Sequence, residues 1–179
     1  MYANFMIDIL KRMETRYFDA QEVIYKELEE CNDIIFVQKG SFNIGYEINK
    51  KIKLRYRFGP RNYIGAFNVC FYKRSFFHYE AQTIINGLGI RKSKILTLLD
   101  EYSHFKDCFY LNALDHYDFR IRKPLLKKKN FEIEQIKLRK DYDQLLYLHE
   151  DPNDNQWFKD TRMEFYKKNT PIKKDTSND

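Results

Sequence analysis

The chain has 179 residues, a formal net charge of +6 at pH 7, 15 phenylalanines and 14 tyrosines. This length suffices for one domain with a hydrophobic core and about 40 residues of extension. No run approaches the about 20 apolar residues of a membrane span, and no segment has the pattern of a signal peptide.

Metal and catalytic motifs are missing from the sequence. Cys31, Cys70 and Cys108 lie far apart with no C-x-x-C spacing, which predicts reduced thiols rather than disulfides or a zinc site. The histidines show no H-x-x-x-H or H-E-x-x-H spacing, and neither a G-x-S-x-G motif nor a Walker loop occurs. We therefore predict no enzyme, no catalytic residue and no metal ligand.

Short segments, most with alternating apolar and polar residues and one with a continuous apolar run, predict β-strands after a first helix at Phe5–Arg12. These strands are 17–18, 22–26, 34–38, 42–47, 51–58, 77–85 and 88–91. Gly40 suits a tight turn between two of them, and Asn86-Gly87 is a strong hairpin signal between the last two. Helical spacing then follows Ser93, and a longer helix from about Cys108 to Leu148 should be interrupted near Pro124.

Three local patterns occur in an order that resembles the cyclic nucleotide-binding domain. The hairpin around Gly40 is similar to the family pattern (Y/F)-(F/I)-(I/V)-x-x-G-x-(V/I). The run Tyr63–Phe67 stands where the family has its phosphate-binding cassette, F-G-E-(I/L)-A-L, and Leu99–Phe105 matches its L-x-x-Y-x-x-F helix. The resemblance covers about residues 5–125 and implies an α+β fold, an antiparallel β jelly-roll barrel with flanking helices. Another small jelly roll, such as a cupin-like domain, is the alternative fold. It would require metal-binding histidines, and the sequence lacks their spacing.

The first half of the cassette keeps the turn but lacks the acid. Gly65 matches the family glycine, and Phe67 follows two residues later. Ala66 stands where the resemblance implies a glutamate that accepts a hydrogen bond from the ribose 2′-hydroxyl.

The second half lacks the family arginine at the expected count. The family continues about five residues later with R-(T/A)-A-(T/S)-V-x-A, and here the arginine position falls on Ser75, with Arg74 one place early. Phe76 and Phe77 replace the small residues that lie against the phosphate. Losing the charge-assisted contact and the ribose contact should weaken binding roughly 100- to 1,000-fold.

The predicted ligand site is therefore a degenerate cassette, and we expect no cofactor. Its residues are Gly65, Ala66, Phe67, Arg74, Ser75 and Phe76. A one-residue slip that brings Arg74 into the pocket would restore a module that binds cAMP or cGMP. A sensor or interaction domain for another ligand is the remaining alternative.

The pattern divides the chain into three parts. Residues 1–125 form the nucleotide-binding-like domain, 126–166 a helical extension, and 167–179 a tail that we expect to be disordered. The family occurs in transcription factors, kinase regulatory subunits and ion-channel tails. Residues 141–179 are too few and too acidic for a helix-turn-helix, and no tandem second domain is present, which favours the channel setting.

The channel setting implies partners and a location. The remainder of a cation (potassium) channel or homologous subunits would be the partners, at the cytoplasmic face of a membrane, and no nucleic acid is expected. The degenerate cassette resembles the homology domains of ether-à-go-go-type potassium channels. A basic amphipathic stretch favours a solvated helix face, with anionic lipid or an acidic partner as alternatives. Its cations are Arg120, Arg122, Lys123, Lys127, Lys128 and Lys129.

Overall fold

A computed structural model describes residues 2–138 and 154–169. The predicted helix beyond residue 138 lies outside the described residues up to residue 153, and the predicted tail, 167–179, lies outside them from residue 170. Residues 167–169 of that tail belong to a helix. The chain divides into two compact units, Met1–His149 and Glu150–Asp179. Residue 125, where we placed the end of the first domain, falls inside a continuous helix of the first unit.

Eight strands, five α-helices and one π-helix make up the described part of the first unit. The strands are β1 (Glu14–Phe18), β2 (Val23–Tyr25), β3 (Asp33–Lys39), β4 (Phe42–Ile48), β5 (Lys51–Phe58), β6 (Tyr63–Ile64), β7 (His78–Ala81) and β8 (Ile85–Arg91). The α-helices are α1 (Tyr2–Arg12), α2 (Ala66–Phe71), α3 (Lys92–Glu101), α4 (Ser103–Asp115) and α5 (Lys123–Leu138).

The strands pair as two antiparallel four-stranded sheets, in the orders β1-β8-β3-β6 and β2-β7-β4-β5. β1 pairs with β8 in one sheet, whereas its successor β2 pairs with β7 in the other, so the chain changes sheet between them. This arrangement confirms the predicted α+β fold of a jelly-roll type with flanking helices. Among the described strands the ladders do not close into a single barrel, because each sheet ends at an edge strand.

The core receives side chains from both sheets and from helices α3 and α4. Its largest fully buried side chains include Tyr46, Phe42, Phe77, Ile34, Ile44, Ile64, Ile85, Ile90, Leu98, Leu99 and Leu114. Many belong to β3 and β4, where buried residues outnumber exposed ones.

The predicted hairpin at Asn86-Gly87 is wrong. Both residues lie inside β8, where Gly87 pairs with Arg16 on one side and Val37 on the other. A Cβ atom at Gly87 would come within 2.5 Å of the Phe36 carbonyl oxygen. The glycine is needed because two backbones approach closely in a central strand, not because the chain turns there.

A π-helix, His116–Arg122, interrupts the long helix immediately before α5. Pro124 lies in the first turn of α5 and has no N–H to donate to the preceding turn. A π-helical segment changes the hydrogen-bonding pattern where that donor is missing. The predicted interruption near Pro124 is thus confirmed, and it takes the form of a wider helix.

The described part of the second unit is one helix, α6 (Asp154–Asn169). Within it, the rings of Trp157 and Phe158 pack edge to face at 5.0 Å. The Gln156 amide donates a hydrogen bond to Asp160 at 2.8 Å, one turn later.

Glu14 joins β1 to the start of α3 through ion pairs. Its carboxylate lies 2.8 Å from Lys94 Nζ, 3.3 Å from Arg16 and 3.4 Å from Arg91. The hydrogen bond from Lys94, followed by that from Arg16, lowers the pKa of Glu14 from 4.5 to about 2. Glu14 therefore stays charged in the folded protein at pH values that protonate it in the unfolded chain.

Glu14→Gln should make stability less dependent on pH. Because the folded pKa is depressed, the ionised Glu14 stabilises the domain fully above about 4.5, and this contribution is lost as the pH falls through about 2. Urea unfolding at neutral pH and at about pH 3 should show a smaller decrease for the variant than for the wild type. Glu134→Gln, at an exposed position of α5, is the control. Equal decreases for wild type and Glu14→Gln would contradict the assignment.

Candidate functional site

The first half of the cassette lies where β6 leads into α2. Gly65 has φ +85°, and a Cβ atom there would lie 2.5 Å from the Asp33 carbonyl oxygen. Its own carbonyl accepts the first helical hydrogen bond, from Val69 N–H at 2.9 Å. Only glycine adopts this positive φ at low cost and leaves room for the Asp33 carbonyl, so the turn that begins α2 depends on Gly65.

Ala66 and Phe67 occupy the first two positions of α2, and both are buried. Ala66 offers no polar group for a sugar hydroxyl. The Phe67 ring stacks on Tyr117 of the π-helix, with centroids 4.1 Å apart and planes 2° from parallel. Phe67 therefore packs α2 against the π-helix.

In the second half of the cassette, Arg74 and Ser75 differ in their exposure to solvent. The Arg74 side chain is exposed, while its carbonyl accepts a hydrogen bond from Asn68 Nδ2 at 2.8 Å. Ser75 is buried, and its hydroxyl donates to the Phe77 carbonyl at 2.7 Å. The Ser75 backbone bonds to Leu28 and Glu29 of the loop before β3. The hydroxyl of Ser75 is thus used within the fold.

The described residues beside α2 enclose a small cavity. A cavity of about 10 Å³ lies there, which holds about one water, whereas small-molecule sites measure about 300–1,000 Å³. The side chains that line it come from both sheets, α2, α4 and the π-helix, and they include Ile64, Phe67, Tyr79, Ala113, His116, Tyr117 and Ile121. Phe77 is buried with its ring 6.4 Å from Tyr117, while Phe76 is half-buried.

The wall of this cavity carries no charge at neutral pH among the residues described. Its lining contains no lysine, arginine or carboxylate. Burial lowers the pKa of His116 below 6.5, and the positive charge of Arg120 acts in the same direction, so the imidazole is neutral. Burial raises the pKa of Tyr63 to about 12. A phosphate placed here would find no cationic partner.

The predicted basic cluster divides between the interior and the surface. Arg122 is buried and lies 3.0 Å from the fully buried carboxylate of Asp118, which Lys123 also contacts at 2.9 Å. Lys129 is 5% exposed, with Nζ 5.8 Å from the Tyr46 ring centroid. These two cations correct the prediction of one solvated face. The i, i+4 spacing of Asp118 and Arg122 was the sequence signal for their pair.

Within the described residues, no group of three or more histidine, cysteine, aspartate or glutamate side chains could hold a metal ion. In the same part of the chain, no helix is long and apolar enough to span a membrane.

Comparisons with known proteins identify similar structures but no similar sequences. No protein-family model matches the chain, and no curated protein matches it. Among solved structures, the regulatory domain of Toxoplasma gondii PKA with cAMP matches with a TM-score of 0.53 and 12% identity, over 63% of this chain and 43% of that one. The cAMP-bound PfPKA-R fragment 141–441 matches with a TM-score of 0.52 and 12% identity, over 64% and 41%.

A channel domain is also similar. The C-linker/CNBHD of zELK channels, crystallised in the presence of cAMP, matches with a TM-score of 0.53 and 16% identity, over 60% of this chain and 54% of that one. The chain thus spans about half or less of each of these structures. At these TM-scores and identities, the similarity shows a shared fold.

Proposed function

Because the chain has the fold of a cyclic nucleotide-binding domain, we propose that it is a regulatory domain of this type whose site does not hold cAMP or cGMP. The filled space beside α2 carries the proposal. Phe67 and Tyr117 stack where the cassette helix faces the π-helix, and about 10 Å³ remains.

The chemistry of the cassette supports the same proposal. A cyclic phosphate is held by charge-assisted hydrogen bonds, above all from arginine. Ser75 stands at the arginine position and donates its hydroxyl to the Phe77 carbonyl, while Ala66 has no acceptor for the ribose. Neither half of the cassette offers the contacts that would offset the cost of opening the packed interior.

Calorimetry of the chain with cAMP and with cGMP tests this. We expect no saturable binding at micromolar ligand, because the missing contacts weaken the site roughly 100- to 1,000-fold. Arg74→Ala tests the displaced arginine, and Arg61→Ala, at another exposed position, is its control. Micromolar affinity that Arg74→Ala abolishes and Arg61→Ala preserves would overturn the proposal and identify Arg74 as a phosphate ligand.

We further propose that this domain belongs to a cation channel, potassium channels being the first candidate, and lies at the cytoplasmic face of a membrane. The similar channel domain and the helix α1, which leads directly into β1, support this setting. The rest of the channel or homologous subunits would then be its partners. The gene sequence upstream of Met1 provides the test: six hydrophobic spans with an arginine-repeat segment are expected, and a gene without spans would exclude it.

A further inference from the structure

An open groove of about 820 Å³ lies between β5 and α5. We name it the basic groove, lined by Arg55, Tyr56, Lys123, Lys127, Lys128 and Phe131. Pro124 and Glu132 complete its wall. It is distinct from the filled cavity beside α2, with which it shares no lining residue.

Two of its cations have no carboxylate partner among the described residues. Arg55 lies 2.5 Å from Glu132, which also contacts Lys53 at 3.0 Å, and Lys123 lies 2.9 Å from Asp118. Lys127 and Lys128 are both exposed and form no such ion pair in the described chain. The charge of this groove is therefore not balanced locally.

The same surface exposes large aromatic rings beside the cations. Phe131 is 61% exposed and Phe119 is 53% exposed. Lys128 Nζ lies 4.1 Å from the Tyr56 ring centroid, and Lys123 Nζ lies 4.1 Å from that of Phe119. Phe119 and Phe131 are about three helical turns apart, with the lysines between them. Lysines that flank exposed aromatic residues on one helix face are typical of helices that lie on a bilayer.

We propose that the basic groove and the exposed face of α5 bind the surface of an anionic bilayer. The ammonium groups of Lys127 and Lys128 contact lipid phosphates, and the Phe131 ring enters the headgroup region. This inference rests on the proposed function for the presence of a nearby membrane, but it does not require that nucleotides fail to bind.

The groove favours a bilayer over an acidic peptide. A peptide would add most simply to the free edge of β5, the outer strand of its sheet. That strand carries Lys51, Lys53, Arg55 and Arg57 at alternate positions. These cations would attract an acidic strand as well as a bilayer, so the apolar contact distinguishes the two partners. Exposed Phe131 gains from an interface that is partly apolar, which an acidic strand does not supply.

Co-sedimentation with vesicles tests the proposal on the full chain. Wild type should bind phosphatidylserine–phosphatidylcholine vesicles and should not bind phosphatidylcholine alone. Lys127→Ala/Lys128→Ala should weaken binding about 30-fold, because each lysine near an anionic surface contributes about 1 kcal/mol and 1.4 kcal/mol is a factor of ten. Phe131→Ser should also weaken it.

Lys50→Ala/Lys51→Ala is the matched control, since it removes two exposed lysines at the β4–β5 turn, and it should bind more tightly than Lys127→Ala/Lys128→Ala. Equal binding by the two double variants, or by wild type to both kinds of vesicle, would overturn the proposal. Absence of vesicle binding together with binding to polyglutamate would identify an acidic protein partner instead. The calorimetric result with nucleotides is independent of each of these outcomes.

Discussion

Phe67→Ala should lower the free energy of unfolding by about 3–5 kcal/mol. Phe67 is 2% exposed, and its ring stacks on Tyr117 with centroids 4.1 Å apart. Removing the ring leaves a cavity that the surrounding helices and strands fill only in part, which adds to the lost burial of apolar surface. Urea unfolding of wild type and variant measures the difference.

Phe76→Ala is the control for this measurement. Phe76 is half-buried, so its truncation should cost clearly less than that of Phe67. A loss below about 1 kcal/mol for Phe67→Ala would show that the stack with Tyr117 is not part of the packed interior.

The Phe67→Ala protein also separates two reasons why nucleotides should not bind. The variant opens space beside Gly65, but it restores neither an acid at Ala66 nor an arginine at Ser75. We therefore expect calorimetry with cAMP to remain without saturable binding. Micromolar binding by this variant would mean that the aromatic filling alone excludes the ligand, and that the missing polar contacts matter less than we infer.

Gly87→Ala should destabilise the domain by about 3 kcal/mol. The added Cβ atom would lie 2.5 Å from the Phe36 carbonyl oxygen, a backbone atom of the neighbouring strand that cannot move without disturbing the ladder. β8 pairs on both sides, with β1 and β3, so a shift here affects two ladders. Thermal and urea unfolding give the value.

Gly59→Ala provides the comparison, because a Cβ atom at Gly59 meets nothing within 4 Å. Its effect should stay within about 0.5 kcal/mol, as for most surface substitutions. If the two alanine variants were equally stable, Gly87 would not lie in a central strand, and the hairpin interpretation of Asn86-Gly87 would return.

Local pattern alone was sufficient for most of the strands. Alternation over 42–47 and 51–58 predicted β4 and β5, and the turn at Gly40 has the positive φ, +90°, that favours glycine. Strands of this kind can be predicted because successive side chains point to opposite faces of the sheet. The position of Gly65 at the start of a short helix followed from the order of neighbouring motifs.

Other features depend on residues that are distant in sequence. Asn86-Gly87 has the composition of a turn, yet β1 and β3 pair with it and hold it extended. Phe67 and Tyr117 are 50 positions apart, and only the fold brings their rings to 4.1 Å. Arg122 and Lys129 belong to a basic run that the spacing assigns to the surface. Both are buried, Arg122 in the π-helix and Lys129 in α5.

Residue identity and near neighbours were enough to predict most of the strands, the turn at Gly40 and the lack of an acid at Ala66 and of an arginine at Ser75. The tertiary structure alone decided whether space remains beside α2. That space depends on how the two sheets pack against three helices, since β6, β7, α2, α4 and the π-helix all line the cavity of about 10 Å³. It also decided which cations face solvent, since a helix exposes only the face that its neighbours leave uncovered.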